Sequence, residues 1–181
     1  RGRLTLPCEI VKCIKGYTDE RFPVILRYSM KSCVKGFNQG GLEGEEYVEI
    51  GRDFDEGLEA AKILADAGYD AFDADEGAYD AWYFAHPPVY QEHGLYLKYS
   101  EQLRRVIDKP VLVAGKLDLP EMAEEALETG KVDMVVLGRA LLADPCWPKK
   151  VMEGREDEIV PCIGCHAGCM GRGFEGKHLS C

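Results

Sequence analysis

The sequence predicts an α/β fold, a parallel sheet with helices packed outside it, and two observations carry the prediction. Short apolar runs rich in β-branched residues alternate strictly with segments of helical period, and no hairpin signal joins one strand-like run to the next. Two of the runs end in a glycine followed by a basic residue, a design suited to ligand binding where strands run out. With 181 residues, of which 46% are apolar, the chain can bury one sizeable core but not comfortably two.

Residues 6–15 open the chain as an amphipathic helix, with Pro7 near its start, Ile10, Val11 and Ile14 at helical spacing and Gly16 as its stop. The run FPVILRY, 22–28, is then a buried parallel strand with Arg27 where the strand ends. Residues 29–52 are rich in glycine and charge and lack a period, which marks a long functional excursion. Asp53 caps the next helix with Glu56 at its third position, Phe54, Leu58, Ala61 and Leu64 share one face, and Gly68 ends it. The run YDAFDA, 69–74, is the second strand, and 95–107 is a helix with Leu95, Tyr99, Leu103 and Val106 in register.

The run PVLVA, 110–114, is the third strand, followed by a helix framed by Asp118 as cap, Pro120 in its first turn and Gly130 as stop. The run VDMVVL, 132–137, is the fourth. Four such units make half of an eightfold barrel; an open doubly wound sheet also accommodates them, although no GxGxxG follows the first strand.

A formal net charge of −10 opposes association with nucleic acid or an anionic membrane surface, so a small-molecule partner is expected. No apolar run is long enough to cross a bilayer, and the first residues lack a secretory pattern; a soluble cytoplasmic protein is expected.

The chemistry-bearing residues gather at the strand ends. Gly115 with Lys116, and Gly138 with Arg139, form two glycine–cation pairs, and the short helix expected over 139–143 would aim free N–H groups at a phosphate. Arg27 is a third strand-end cation, able to bond a planar electron-rich ring or to pair with an acid. The loop 73–93 packs Tyr79, Trp82, Tyr83, Phe84 and Tyr90 closely, either as a substrate wall or as a small core beneath a long loop; within it Tyr79, Asp80 and His86 are the candidates to move a proton.

Of eight cysteines, half crowd into the last twenty residues. Cys162, Cys165 and Cys169 follow a CxxCxxxC spacing and Cys181 follows after a further eleven residues, a pattern of iron–sulfur ligation; structural zinc, the rival, prefers two CxxC pairs. With four thiolates available, His166 and His178 read as solvated loop histidines. Cys8, Cys13, Cys33 and Cys146 share no motif and read as buried or idle thiols.

Together these residues resemble the flavin-dependent enoate and 2,4-dienoyl-CoA reductase branch of the Old Yellow Enzyme superfamily, which includes the bile-acid-inducible NADH-dependent flavin oxidoreductases. The anchors are RFPVILRYS, AFDADEGAYDAWYFAHPPVYQEHGLYL, VLVAGKLD, VDMVVLGRALLADPCWPKKVMEG and PCIGCHAGC, so the resemblance spans essentially the whole chain. It implies strands five to eight of a (β/α)8 TIM barrel over 1–154 and an irregular iron–sulfur segment over 155–181. It also implies FMN on the C-terminal face, with Arg27 near the pyrimidine ring and Ala114, Gly115, Lys116, Gly138 and Arg139 round the phosphate. Lys116 stands where the family often has arginine, which keeps the charge and loses the fork.

A [4Fe-4S] cluster on Cys162, Cys165, Cys169 and Cys181 follows from the same resemblance, as do FAD and NAD(P)H in a further C-terminal part. The implied reaction passes hydride to or from a carbon–carbon double bond conjugated to the carbonyl of an unsaturated acid or acyl-CoA. The dienoyl reductases carry a catalytic histidine after the sixth strand; Tyr79 or Asp80 aligns nearest to it, and His86 is displaced. A half-barrel with open sheet edges is expected to be inactive alone or to complete itself as a homo-oligomer. The alternative from another class is a zinc-stabilised phosphate-binding α/β module without redox activity.

Overall fold

The computed structural model describes residues 2–42 and 44–181. Helix α1, Thr5–Tyr17, starts one residue before the expected span and absorbs Gly16, its expected stop; the chain turns instead at Thr18, whose N–H and hydroxyl both bond the Ile14 carbonyl. Strand β1, Ile25–Ser29, begins later than expected because Phe22 is held in a turn by Asp19. Within 29–52 the absence of hairpins does not hold. Strands β2, Val34–Gly36, and β3, Gln39–Gly40, pair antiparallel round Asn38, whose left-handed backbone (φ +54°) suits a tight turn. Glu49 fixes this excursion by accepting from Val34 N–H at 3.0 Å and from Gly51 N–H at 2.9 Å.

Helix α2, Phe54–Ala67, has the expected ends: Asp53 accepts from Glu56 N–H at 2.8 Å, and Gly68 (φ +120°) closes it. Strand β4, Ala71–Asp75, is followed by helix α3, Trp82–Ala85, in the aromatic loop, then α4, Leu97–Val106, and β5, Val111–Val113. Helix α5, Pro120–Glu128, has Pro120 in its first turn and Gly130 (φ +68°) just beyond its end, but Asp118 does not cap it. Leu119 occupies the cap position, because Asp118 bonds His93 Nδ1 at 2.9 Å. Strand β6, Met134–Val135, is short; helices α6, Arg139–Ala143, and α7, Trp147–Met152, follow it, and the remainder is largely irregular.

The main sheet is parallel throughout, in the order β1-β4-β5-β6, and Arg27 lies beside Asp73 in its register. Its core is continuous with α2 and α4: Tyr28, Phe72, Val111 and Val113 from the strands meet Ala61, Leu64 and Leu103 from the helices. Tyr28 and Phe72 pack edge to face at 5.6 Å. No helix among the described residues is long and apolar enough to cross a membrane.

One device fixes the starts of the strands, and it occurs twice. Asp70, just before β4, accepts from Val24 N–H at 2.7 Å and pairs with Lys15 of α1 at 2.7 Å. Asp133, just before β6, accepts from Val111 N–H at 2.8 Å and takes a bidentate pair from Arg104 of α4, at 2.9 and 2.8 Å. In each case a cation on the helix preceding one strand grips an aspartate preceding the next, and that aspartate also fixes the neighbouring strand's register.

Candidate functional site

The opposite ends of the strands surround a cavity of about 250 Å³. All six strand-end positions singled out from the sequence line it: Arg27 from β1, Ala114, Gly115 and Lys116 after β5, and Gly138 and Arg139 after β6. His86, Tyr96, Cys162 and Met170 complete much of the wall.

Local backbone geometry produces this convergence. Gly115 adopts φ +84°, and a Cβ there would come within 2.4 Å of the Tyr96 ring, so only glycine lets the loop lie on that ring. The carbonyls of Gly115 and Lys116 accept from Leu95 and Gly94 N–H, which brings Tyr96 to the cavity. A Cβ on Gly138 would meet nothing within 4 Å, so the backbone there is open.

Arg27 is braced by β4. Its Nη1 donates to Asp73 at 2.7 Å and its Nε faces Asp75 at 2.8 Å. Burial opposes its charge, but Asp75 and Asp73 outweigh burial and raise the Arg27 pKa. Burial in turn pushes the Asp75 carboxyl above its usual range, against the pull of Arg27. The two aspartates are two residues apart on one strand and therefore share a face, a period-two signal that sequence reading passed over.

Lys116 and Arg139 line the cavity and are also held by protein groups. Lys116 donates to the carbonyls of Pro88 at 3.3 Å, Val89 at 3.4 Å and Gln91, and burial lowers its pKa. Arg139 Nη1 donates to the Pro87 carbonyl at 2.8 Å and meets His166 Nε2 at 2.5 Å. His166 is thus not a solvated loop residue, and burial together with the Arg139 charge lowers its pKa.

Of the three proton-transfer candidates, only His86 lines the cavity. Its ring stacks on Trp82 at 4.0 Å, its buried Nδ1 has no partner among the described residues, and burial, then Arg139, His166 and Arg27, lower its pKa. Tyr79 is 88% exposed and stacks on Trp82 at 5.7 Å. Asp80 accepts from Asn38 N–H at 2.6 Å and so ties the hairpin to the aromatic loop.

A second cavity, of about 170 Å³, is lined by Cys162, Cys165, Cys169 and Cys181, with Arg139 and His166 in its wall. Gly168 makes this possible: its carbonyl accepts from Ser180 N–H at 2.9 Å, and a Cβ there would lie 2.1 Å from the Ser180 carbonyl oxygen. The returning chain therefore lays Cys181 beside the cysteine turn. Gly164 (φ +65°) packs on the backbone of Pro88 and Val89, where a Cβ would lie 2.8 Å from the Val89 nitrogen. Among the described residues, no three His, Cys, Asp or Glu side chains converge to hold a single ion. None of the eight cysteines is in a disulfide; Cys33, one of the four outside the motif, is buried and donates to Glu76 at 3.0 Å.

A family model described as the NADH:flavin oxidoreductase / NADH oxidase family matches residues 1–158. A cinnamate reductase from Clostridium sporogenes is 50% identical over 99% of this chain and 27% of its own length. An NADH oxidase from Thermoanaerobacter brockii is 35% identical over 99% of this chain and 26% of its own. Among solved structures, a 2-naphthoyl-CoA reductase in complex with 2-naphthoyl-CoA superimposes with a TM-score of 0.83 and 27% identity, covering 96% of this chain and 24% of that one. The chain spans about a quarter of the length of the curated relatives it matches.

Proposed function

Because the chain belongs to the NADH:flavin oxidoreductase / NADH oxidase family, we propose that it is the flavin-phosphate and cluster-bearing part of an NADH-dependent ene-reductase that uses FMN and a [4Fe-4S] cluster. The observation that carries the proposal is the adjacency of the two cavities, which share Arg139 and Cys162. In this reading residues 1–154 are strands five to eight of a (β/α)8 barrel with their helices, and 155–181 form the cluster segment. When bound, FMN supplies hydride to a carbon–carbon double bond conjugated to a carbonyl, and the cluster relays single electrons to it from an FAD- and NAD(P)H-binding part.

The residues fit these groups on their own chemistry. Arg27, braced by two carboxylates, offers a fixed guanidinium to the ring system, and the open backbone at Gly138, with Gly115, Lys116 and Arg139, suits a phosphate. A tetrahedral zinc would gather its sulfurs to within about 4 Å of one another, whereas a cluster needs them spread round a bulkier body. Four cysteines lining one cavity in a CxxCxxxC spacing, without the second CxxC pair that zinc prefers, favour the cluster. His86 faces the cavity and is held flat against Trp82, which places it to pass a proton to the reduced double bond as an imidazolium that has first taken that proton from solvent.

The 50% identity to a cinnamate reductase favours an aromatic enoate, or its acyl-CoA, as substrate. The complete gene product, purified anaerobically, is expected to carry stoichiometric FMN and about four irons per copy, and to reduce cinnamate-type acids with NADH. Zinc in place of iron, with no flavin released on denaturation, would overturn the proposal in favour of a phosphate-binding module without redox activity.

A further inference from the structure

The strand-end cavity and the cysteine cavity share a wall, and Arg139 stands in it. One of its nitrogens, Nη1, is used twice: it donates to the Pro87 carbonyl at 2.8 Å and meets His166 Nε2 at 2.5 Å. A guanidinium has no acceptor, so in the tautomer that bonds Arg139 the imidazole accepts at Nε2 and carries its proton on Nδ1; the ring also lies within reach of the Pro87 carbonyl. His166 arrives from the cysteine loop, between Cys165 and Cys169, with a left-handed backbone (φ +60°) closed by a 2.8 Å bond from Gly171 N–H to its carbonyl. A non-glycine residue keeps that conformation only where its surroundings over-determine it. The Pro87 carbonyl directly follows His86 in sequence, so one guanidinium joins the cysteine loop, the phosphate loop and the segment bearing His86.

We infer that His166 is a positioning residue: by accepting from Arg139 Nη1 it fixes the guanidinium with its other N–H groups turned to the strand-end cavity, and so ties anion binding there to the cysteine loop. The inference rests on the functional reading above for the identity of the anion as the flavin phosphate. Without His166 the guanidinium keeps its charge but loses one of two anchors, so the anion meets a mobile cation.

The test is a double-mutant cycle in the complete gene product, purified anaerobically and stripped of flavin, with FMN affinity read from fluorescence quenching and iron measured alongside. His166→Leu weakens FMN binding about tenfold, the scale of one hydrogen bond to a charged group, while iron stays at the wild-type level. His166→Gln, whose amide oxygen falls near the lost Nε2, recovers affinity to within about threefold of wild type. In an Arg139→Gln background, His166→Leu has no further effect.

Unchanged affinity in His166→Leu, or an equal drop in both Arg139 backgrounds, overturns the inference. Should His166→Leu lose its iron, His166→Gln and His166→Asn decide the matter, because the shorter amide cannot reach Arg139: tight binding by the first and weak by the second supports the positioning role, and equal affinities overturn it. A wild-type protein that binds no FMN overturns the functional reading and this inference with it. Tight wild-type binding with an additive cycle overturns this inference alone.

Discussion

The two ends of the parallel sheet are built on opposite principles. Where the strands start, Asp70 and Asp133 each serve two masters, a helix cation and a neighbouring backbone N–H. Where the strands end, buried polar atoms are left over: Asp73 Oδ1, Asp75 Oδ1, Glu76 Oε2, His86 Nδ1 and Gln91 Oε1 have no partner among the described residues. The strained backbone follows the same division, since Gly115 and Lys116 are both left-handed immediately after β5. One end is organised for stability, and the other leaves polar atoms unpaired, among them Nδ1 of His86, whose ring lines the cavity.

The sharpest way to break this contrast is at His86. His86→Asn is expected to lower kcat about 100-fold while leaving the denaturation midpoint of the complete gene product near wild type. A large loss of stability with little loss of rate would move His86 to the structural class. At the other end, Lys15→Ala removes a cation bonded to Asp70 and to the Glu20 and Phe22 carbonyls. Because Asp70 is about one-third exposed, the expected loss is about 2 kcal/mol in urea unfolding rather than the larger value of a fully buried pair, with FMN affinity unchanged.

The two ends should also respond oppositely to pH. The Lys15 hydrogen bond holds Asp70 below its usual range, so its contribution is present above about pH 4 and is lost as pH falls through the lowered folded value. Burial raises Glu76, so its contribution is full below its ordinary value and is lost as pH rises through the raised one. Asp70→Asn is expected to flatten the acid limb of a stability–pH curve, and Glu76→Gln the limb above about pH 5. Swapped effects would show that the contrast is wrong. The smallest change is expected at Tyr79→Phe, which should leave kcat/KM within about twofold because the ring lies outside the cavity.

What was legible in the sequence was local. Helix α2 could be read from Asp53, Glu56 and Gly68 because cap and stop act within one turn of the chain, and the short helix α6 followed from the glycine before it. The strand-end site was legible for a related reason: parallel α/β sheets gather the residues after their strands, so Arg27, Gly115 and Gly138 converge from distant positions. What escaped was decided by tertiary partners. Asp118 has the chemistry of a cap, yet His93 takes its carboxylate and Trp147 Nε1 its carbonyl at 3.1 Å. His166 looked superfluous beside four thiols until the fold set Arg139 against it. The hairpin at Asn38 depends on Glu49 and Asp80, neither adjacent in sequence.

The stacking of Trp82 on His86 gives the molecule an optical reporter. The chain has two tryptophans, and they sit in unlike places: Trp82 lies flat against the imidazole at the cavity, whereas Trp147 is buried in a separate apolar cluster with Leu117 and Ala123. An isoalloxazine bound in the cavity beside this stack would quench the indole. The emission of Trp82 is therefore expected to respond to a group bound in the cavity more strongly than that of Trp147.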